Sequence, residues 1–374
     1  MFRTTLERFM TERAGSPDMS DDRLRMTPGP TAVPAAVRDR MAEPTPNPDV
    51  EPEFFEFYRE LTDDLGAIYG DDDIVILGGE GILGLEAAVA SLVEPGDRVL
   101  CIANGPYGEG FADFVESYDG EAVVCDSSWR DPIDLAAVES RLEEGSFDVA
   151  TMVHCETPTG VLNDLEPVLA LLEDHGVISV VDAVSSLGGT AVPTDRMDVC
   201  LGASQKCFSA PPGLTVASVS DRAWAKIESF ETRGFYTDLE PWRDAADEEW
   251  FPYTHLSSNL YGLGAAIDLL LEEGLETVFE RHERAAQRCR ERAADLGLSI
   301  YPDGAQSSPT VTALEVPGRA EELQRTLADD HDIVLATGLG DLAADVLRVG
   351  HMGHNARVDR VERTMDALEA VLEE

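Results

Sequence analysis

Seven short apolar runs, separated by amphipathic stretches, order the first two thirds of the chain: Ile74–Leu77, Val99–Ala103, Ala122–Cys125, Val149–Val153, Val177–Val181, Val199–Leu201 and Leu214–Val219. Between them, Leu83–Val93, Leu135–Leu142 and Leu165–Asp174 carry apolar residues at helical spacing. Gly and Asp mark the joins, as in Glu94-Pro95-Gly96-Asp97 and Asp174-His175-Gly176. Unbroken apolar runs separated by helices indicate strands covered on both faces. The pattern therefore predicts an α/β fold with a mostly parallel seven-stranded sheet between helices. After about residue 260 the texture changes. A long helical stretch, Tyr261–Leu298, precedes strands expected at Thr310–Val316, Ile333–Leu335 and Val346–Val349 and helices at Ala320–Asp329 and Arg357–Glu373. Three parts are expected: an extension over 1–25, a large domain over 26–262, and a smaller C-terminal α/β domain over 263–374. The acidic stretch Thr237–Glu249 reads as a solvent-facing loop. Residues 1–25 are polar and charged, with Phe2, Leu6, Phe9 and Met10 placed to line one short helical face. They are expected to be frayed, with Met19 and Met26 as alternative starts.

Charge narrows the choice of partners. The chain has 73 acidic and 28 basic residues, a net charge of −45. Nucleic acid and anionic membranes would be repelled by such a surface. The same charge opposes compaction unless salt screens it, which suits a concentrated-salt cytoplasm. The six cysteines form no CxxC pair, and four lie in or beside apolar runs. That usage implies reduced, mostly buried thiols in the cytoplasm, with no zinc site and no disulfide framework. No stretch approaches the ~18 uninterrupted apolar residues of a membrane span, and the N-terminus lacks the apolar segment of a secretion signal.

Among the 28 bases only Lys206 and Lys226 are lysine. Lys206 closes Gly202-Ala203-Ser204-Gln205-Lys206 directly after an apolar run. A desolvated lysine can form an imine, whereas arginine cannot lose its proton. In open parallel sheets ligands bind beyond the carboxyl ends of the strands. The residues there are Gly78-Gly79-Glu80-Gly81-Ile82, Asn104-Gly105-Pro106-Tyr107-Gly108, His154-Cys155-Glu156-Thr157-Pro158-Thr159-Gly160, Asp182-Ala183-Val184-Ser185-Ser186 and Lys206. One rim thus gathers an anion loop, an aromatic ring, a carboxylate and an amine. Pyridoxal phosphate needs these four parts: an amine for its aldehyde, a carboxylate for its ring nitrogen, helix N-terminal amides for its phosphate and a flat face for its ring. Taken singly, each has a plainer explanation: a tight turn, a helix cap, core packing, a satisfied buried histidine at His154.

At these motifs the chain resembles the class V aminotransferases of fold type I, near the alanine–glyoxylate and serine–pyruvate group. The likeness rests on Thr27-Pro28-Gly29-Pro30-Thr31, Asn104-Gly105-Pro106-Tyr107-Gly108, Val181-Asp182-Ala183-Val184-Ser185-Ser186, Ser204-Gln205-Lys206-Cys207, Pro211-Pro212-Gly213-Leu214 and Arg348-Val349-Gly350-His351-Met352-Gly353. It runs from about Met26 to the C-terminus. The resemblance implies that Lys206 forms the imine, Asp182 meets the ring nitrogen and Tyr107 stacks on the ring. Gly81, Ile82, Thr157 and Gln205 fall among the cofactor contacts. Tyr253 and Thr254 match a segment that reaches the phosphate from the other subunit, which implies a homodimer with its active sites at the interface. Arg348 matches the clamp for the substrate carboxylate, a role suited to a planar guanidinium.

Four positions depart from the family pattern. Glu80 and Ile82 replace hydroxyl or imidazole side chains on the phosphate loop, so Glu80 must point away from the phosphate or meet a cation. Pro158 stands where serine is common. Asn47 sits near the substrate where many members carry a basic or aromatic residue. The implied activity is transamination from alanine or serine to glyoxylate or pyruvate. A carbon–sulfur lyase or cysteine desulfurase on the same fold, and a non-catalytic pyridoxal phosphate binder, are the alternatives.

Overall fold

All seven apolar runs become strands of one sheet in the computed structural model, which describes residues 23–70, 73–232, 234–302 and 306–373. The helical face expected for Phe2–Met10, the start Met19 and the acids Asp71 and Asp72 lie outside the described residues. The strands are β1 (Asp73–Gly78), β2 (Arg98–Ala103), β3 (Glu121–Asp126), β4 (Val149–Val153), β5 (Ile178–Asp182), β6 (Val199–Ala203) and β7 (Leu214–Val219). Their order across the sheet is β1-β7-β6-β5-β4-β2-β3. Only β7 runs against its neighbours; the other pairs are parallel. The central strands β4, β5 and β6 are buried throughout. That is why they read as unbroken apolar runs and not as alternating ones. At the margin, β3 ends in Glu121 and Asp126, charges that discourage further strand pairing.

Two helices start directly on the rim formed by the strand ends. Helix α1 (Gly81–Leu92) follows β1 and is mostly buried, while α2 (Pro106–Ser117) follows β2 and opens with a proline suited to a first helical turn. The strands other than β7 run in the same direction, so their carboxyl ends lie on the same side of the sheet. The carboxyl ends of β1, β2, β4, β5 and β6 therefore share one edge, and each delivers a loop to it.

A second core forms from Met26, Cys289, Leu314, Leu323, Leu347, Val349, Met365 and Leu368. Its three-stranded antiparallel sheet joins Thr312–Glu315, Val346–Val349 and Ala336–Thr337. Three expectations change here. The stretch Tyr261–Leu298 is two helices, Ser257–Glu273 and Leu275–Asp295, because Gly274 between them takes φ +83°, a conformation that ends a helix. Residues 23–25 are not frayed: Leu24–Arg25 pairs in parallel with Ile333–Val334, and Met26 is fully buried in the second core. The stretch Thr237–Glu249 is acidic but not simply solvent-facing. Its Leu239, Trp242 and Ala245 are buried, with Trp242 packed edge-on to Tyr253 and His255.

Candidate active site

Lys206 lies just past the end of β6, buried enough that its ammonium is brought down to about 8, first by desolvation and then by the charge of Arg348. An amine with that value exchanges protons near neutral pH, as a base or imine-forming group must. Its Nζ donates to the Pro28 carbonyl at 2.8 Å. The Pro28–Gly29 loop approaches so closely that a Cβ on Gly29 would lie 2.4 Å from Lys206 Cδ. Gly29 also takes φ +103°, so any side chain there would be both strained and in collision.

Asp182 closes β5, one strand over. Its Oδ1 accepts from the Val184 amide at 2.9 Å, and burial pushes its carboxyl up to about 6 against the pull of that amide and of Lys206. A cationic ring nitrogen beside it would hold it ionised. Tyr107, the second residue of α2, feels the charges of both Arg348 and Asp182, and burial pushes its hydroxyl up to about 12.

Arg348 comes from the second core but reaches this rim. It is 7 % exposed, donates from Nε to Thr337 O at 2.7 Å and from Nη1 to Thr157 O at 3.4 Å, and has no carboxylate partner among the described residues. Burial lowers its guanidinium to about 10. A buried cation left without an anion carries a large desolvation cost, which a carboxylate ligand would offset. Thr157 itself bonds Ser185 through its hydroxyl. His154 is neutral, lowered to about 4 by burial, and bonded to Ser186 Oγ at 2.8 Å, as expected for a satisfied buried histidine.

The ring side of the site fits pyridoxal phosphate. A Cβ on Gly81 would stand 3.2 Å from Val184 and 3.4 Å from Ala203, a tight fit that glycine avoids where α1 begins close to β5 and β6. Gln205 is 5 % exposed, and its Oε1 is buried without a hydrogen-bond partner among the described residues. This orphaned oxygen calls for a polar ligand. The phosphate side is contested. Glu80 caps α1, accepting from the Ile82 amide at 3.2 Å, so one amide at the start of this helix is already held by a carboxylate.

Two expected residues are not drawn in within one chain. Asn47 is exposed in a turn, accepting from Asp49 N at 2.9 Å, and Thr254 is exposed and bonded to Asp49 Oδ2 at 3.0 Å. One residue was not foreseen. Glu156 is completely buried, accepts from the amides of Gly108 at 2.7 Å and Tyr107 at 3.4 Å, and has its carboxyl pushed up to about 8, chiefly by desolvation. It holds the first turn of α2, and so the Tyr107 ring, in place. Its only mark in the sequence is an acid set between Cys155 and Thr157 on the functional rim.

Comparison with known proteins agrees with this geometry. The model of the family "Aminotransferase class-V" matches residues 56–358. A pyridoxamine–pyruvate transaminase of Mesorhizobium japonicum is 35% identical, with 91% of this chain and 89% of the relative covered. An uncharacterized aminotransferase of Methanocaldococcus jannaschii is 34% identical over 88% of both chains. The crystal structure of an alanine–glyoxylate aminotransferase from Nostoc sp. superposes with a TM-score of 0.91 at 29% identity, covering 98% of each chain.

Proposed function

The chain belongs to the class V aminotransferases, pyridoxal phosphate-dependent transaminases acting between amino and 2-oxo acids, and from that premise we propose which residues do the work here and on what. The reading is an amino transfer from alanine or serine to glyoxylate or pyruvate. Lys206 is the imine-forming lysine and proton carrier, Asp182 the partner of the ring nitrogen, Tyr107 the stacking ring and Arg348 the carboxylate clamp. Gly81, Ile82, Thr157 and Gln205 line the cofactor. The observation that carries this reading is Arg348, a buried guanidinium without an acid, next to a lysine brought down to about 8.

When bound, pyridoxal phosphate supplies an electron-poor ring that makes the α-hydrogen of the donor acidic. The chain does the rest. Arg348 grips the donor carboxylate with two parallel N–H bonds and so orients the Cα–H bond. The Lys206 amine, neutral in part near pH 8, takes that proton at Nζ and delivers it again. Asp182 would set a negative charge beside the ring nitrogen and so keep it protonated. The Thr337 and Thr157 carbonyls hold the Arg348 guanidinium in place for its grip.

A desulfurase would need an accessible thiolate. Cys207 and Cys289 are buried, with both thiols pushed up to about 12. One observation favours a second reading. With Glu80 on the Ile82 amide, an unphosphorylated ring ligand meets less repulsion than a phosphorylated one, and pyridoxamine becomes a candidate donor to pyruvate. The division into a large domain over 26–262 and a small one over 263–374 belongs to the same reading.

Assembly as a homodimer is supported by an exposed aromatic cluster at the expected interface. Phe235 and Tyr236, 63 % and 57 % exposed, pack beside Tyr253. Monomeric surfaces seldom display such a patch. Tyr253, Thr254 and Asn47 would act across that interface. A salt-rich cytoplasm fits the −45 charge and the buried free thiols, and no helix among the described residues is long and apolar enough to cross a membrane. A donor panel of alanine, serine and pyridoxamine against glyoxylate, pyruvate and 2-oxoglutarate, in concentrated KCl, tests the proposal. Fast turnover of alanine or serine supports the first reading and of pyridoxamine the second. Release of sulfide from cysteine without amino transfer would overturn both.

A further inference from the structure

Eight arginines gather around His354 in a protein that carries 73 acids and 28 bases. Arg281, Arg284 and Arg357 line one pocket of about 470 Å³; Arg38, Arg360 and Arg363, together with Arg23 and Arg25, line an adjoining one of about 730 Å³. Both are lined by His354 and Asp359, and among the described residues lining them the only carboxylates are Glu273 and Asp359. These two acids are already engaged: Glu273 by Arg281 at 2.6 Å, and Asp359 by Arg357 at 3.0 Å.

Arg23 pairs with Asp332 at 3.4 Å, whereas Arg38, Arg284, Arg360 and Arg363 form no ion pair among the described residues, Asp359 being the only acid whose charge Arg360 feels. Arg360 donates to Asn355 Oδ1 at 2.5 Å and to His354 Nε2 at 3.0 Å. Arg38 donates to the Val33 carbonyl at 2.6 Å. Arg284 and Arg363 are exposed and bond none of the described residues. Carboxylates are not scarce elsewhere on this surface. Arg292 alone engages Glu362, Asp366 and Glu369. Their absence around His354 leaves a local positive field within a strongly negative molecule. The imidazole registers that field: burial together with Arg360, Arg357, Arg281 and Arg38 brings it down to about 4. It is thus neutral, and because Nε2 accepts from Arg360, its N–H sits on Nδ1 as a further donor.

We propose that this double pocket is a binding site for a small oxyanion carrying two or more negative charges, of the phosphate-ester or polycarboxylate type. Planar guanidinium forks match carboxylate and phosphate oxygens, and a halide would use none of that directionality. The volumes suit a metabolite-sized ligand. The cluster includes none of the residues assigned to the Lys206 site, so its occupancy is a separate question from the transamination.

The test uses the coenzyme-loaded protein, so that the coenzyme's own position is filled. Inorganic phosphate and citrate are titrated at an ionic strength held constant with KCl, while melting temperature and light scattering are followed. A saturable rise in melting temperature, with KCl alone giving none, is expected. Saturation by phosphate alone points to phosphate esters, and by citrate alone to polycarboxylates. The double variant Arg284→Ala/Arg363→Ala, at two exposed positions, should weaken the apparent affinity at least tenfold, and Arg325→Ala, on a different helix, should leave it unchanged. No saturable rise, or an equal rise in the double variant, overturns the site. A fall in particle mass that tracks the rise would make a second copy's acidic surface the occupant, and overturns it too.

Discussion

Replacing Glu156 by glutamine should make the protein more stable at alkaline pH, although it removes a carboxyl that bonds two backbone amides. Glu156 is completely buried, without a cation beside it, and its pKa is raised to about 8 from 4.5. A carboxyl whose folded value is raised binds more protons folded than unfolded. Its stabilising contribution is complete below about 4.5 and is lost progressively as pH climbs to about 8. At ~1.4 kcal/mol per unit, the loss over this window has a ceiling of about 5 kcal/mol. With an unfolding entropy of about 2.1 cal/mol/K per residue, that is a melting-temperature difference of roughly 6 °C. Glutamine copies the protonated acid. Its carbonyl can keep the 2.7 Å bond from Gly108, and its amide group replaces the oxygen facing Tyr107 at 3.4 Å, where little is lost. Melting curves of the coenzyme-loaded wild type and Glu156→Gln, taken from pH 5 to 9 in concentrated KCl, should therefore start together and diverge as pH rises. The variant should be the more stable above pH 8. Parallel curves across the range would refute the claim that burial keeps Glu156 protonated.

Other substitutions test other parts of the site. Lys206→Ala should abolish turnover and leave no borohydride-fixed coenzyme on the chain; activity within about tenfold of wild type would remove Lys206 from the chemistry. Arg348→Ala should cost about 2–4 kcal/mol, or about 30- to 1000-fold in kcat/KM for carboxylate substrates, and unchanged constants would show that the guanidinium is not the clamp. Glu80→Ser keeps a helix cap but removes its charge, so affinity for pyridoxal phosphate should tighten by roughly tenfold while that for pyridoxal stays level. An unaltered ratio of the two would show that Glu80 does not oppose the phosphate. Dialysis into dilute buffer should unfold or inactivate the protein, because 45 uncompensated charges then repel without screening; full activity there would refute salt dependence.

The sheet and the site were legible to different depths. Strands β4, β5 and β6 are buried on both faces, so each had to be an apolar run, and their ends had to hold the ligand-facing residues. That logic placed Asp182 and Lys206 on one rim. The helix Pro52–Tyr69 is absent from the sequence prediction even though Phe54, Tyr58, Leu61 and Leu65 repeat at helical spacing and are all buried. The apolar spacing by itself marks that helix. The break at Gly274 was harder. Apolar spacing continues on both sides of it, and only a positive φ separates the helices.

What Glu80 does was hidden for a physical reason. Charge repulsion alone offered Glu80 two outcomes, retreat from the phosphate or a cationic partner, and took no account of the backbone amides beside it. The exposed amides at a helix start are the nearest positive end available to a carboxylate two residues away, and Glu80 uses the one at Ile82. A residue type that is repelled by phosphate is by the same charge attracted to the phosphate's own binding groups. Substitution by an acid on such a loop therefore does more than weaken an anion site: it puts an internal competitor into it. Which ring ligand this enzyme prefers should then depend on the charge state of position 80 more than on the shape of the cavity, since the ring contacts proposed for Tyr107, Asp182 and Lys206 would serve the phosphorylated and unphosphorylated forms alike.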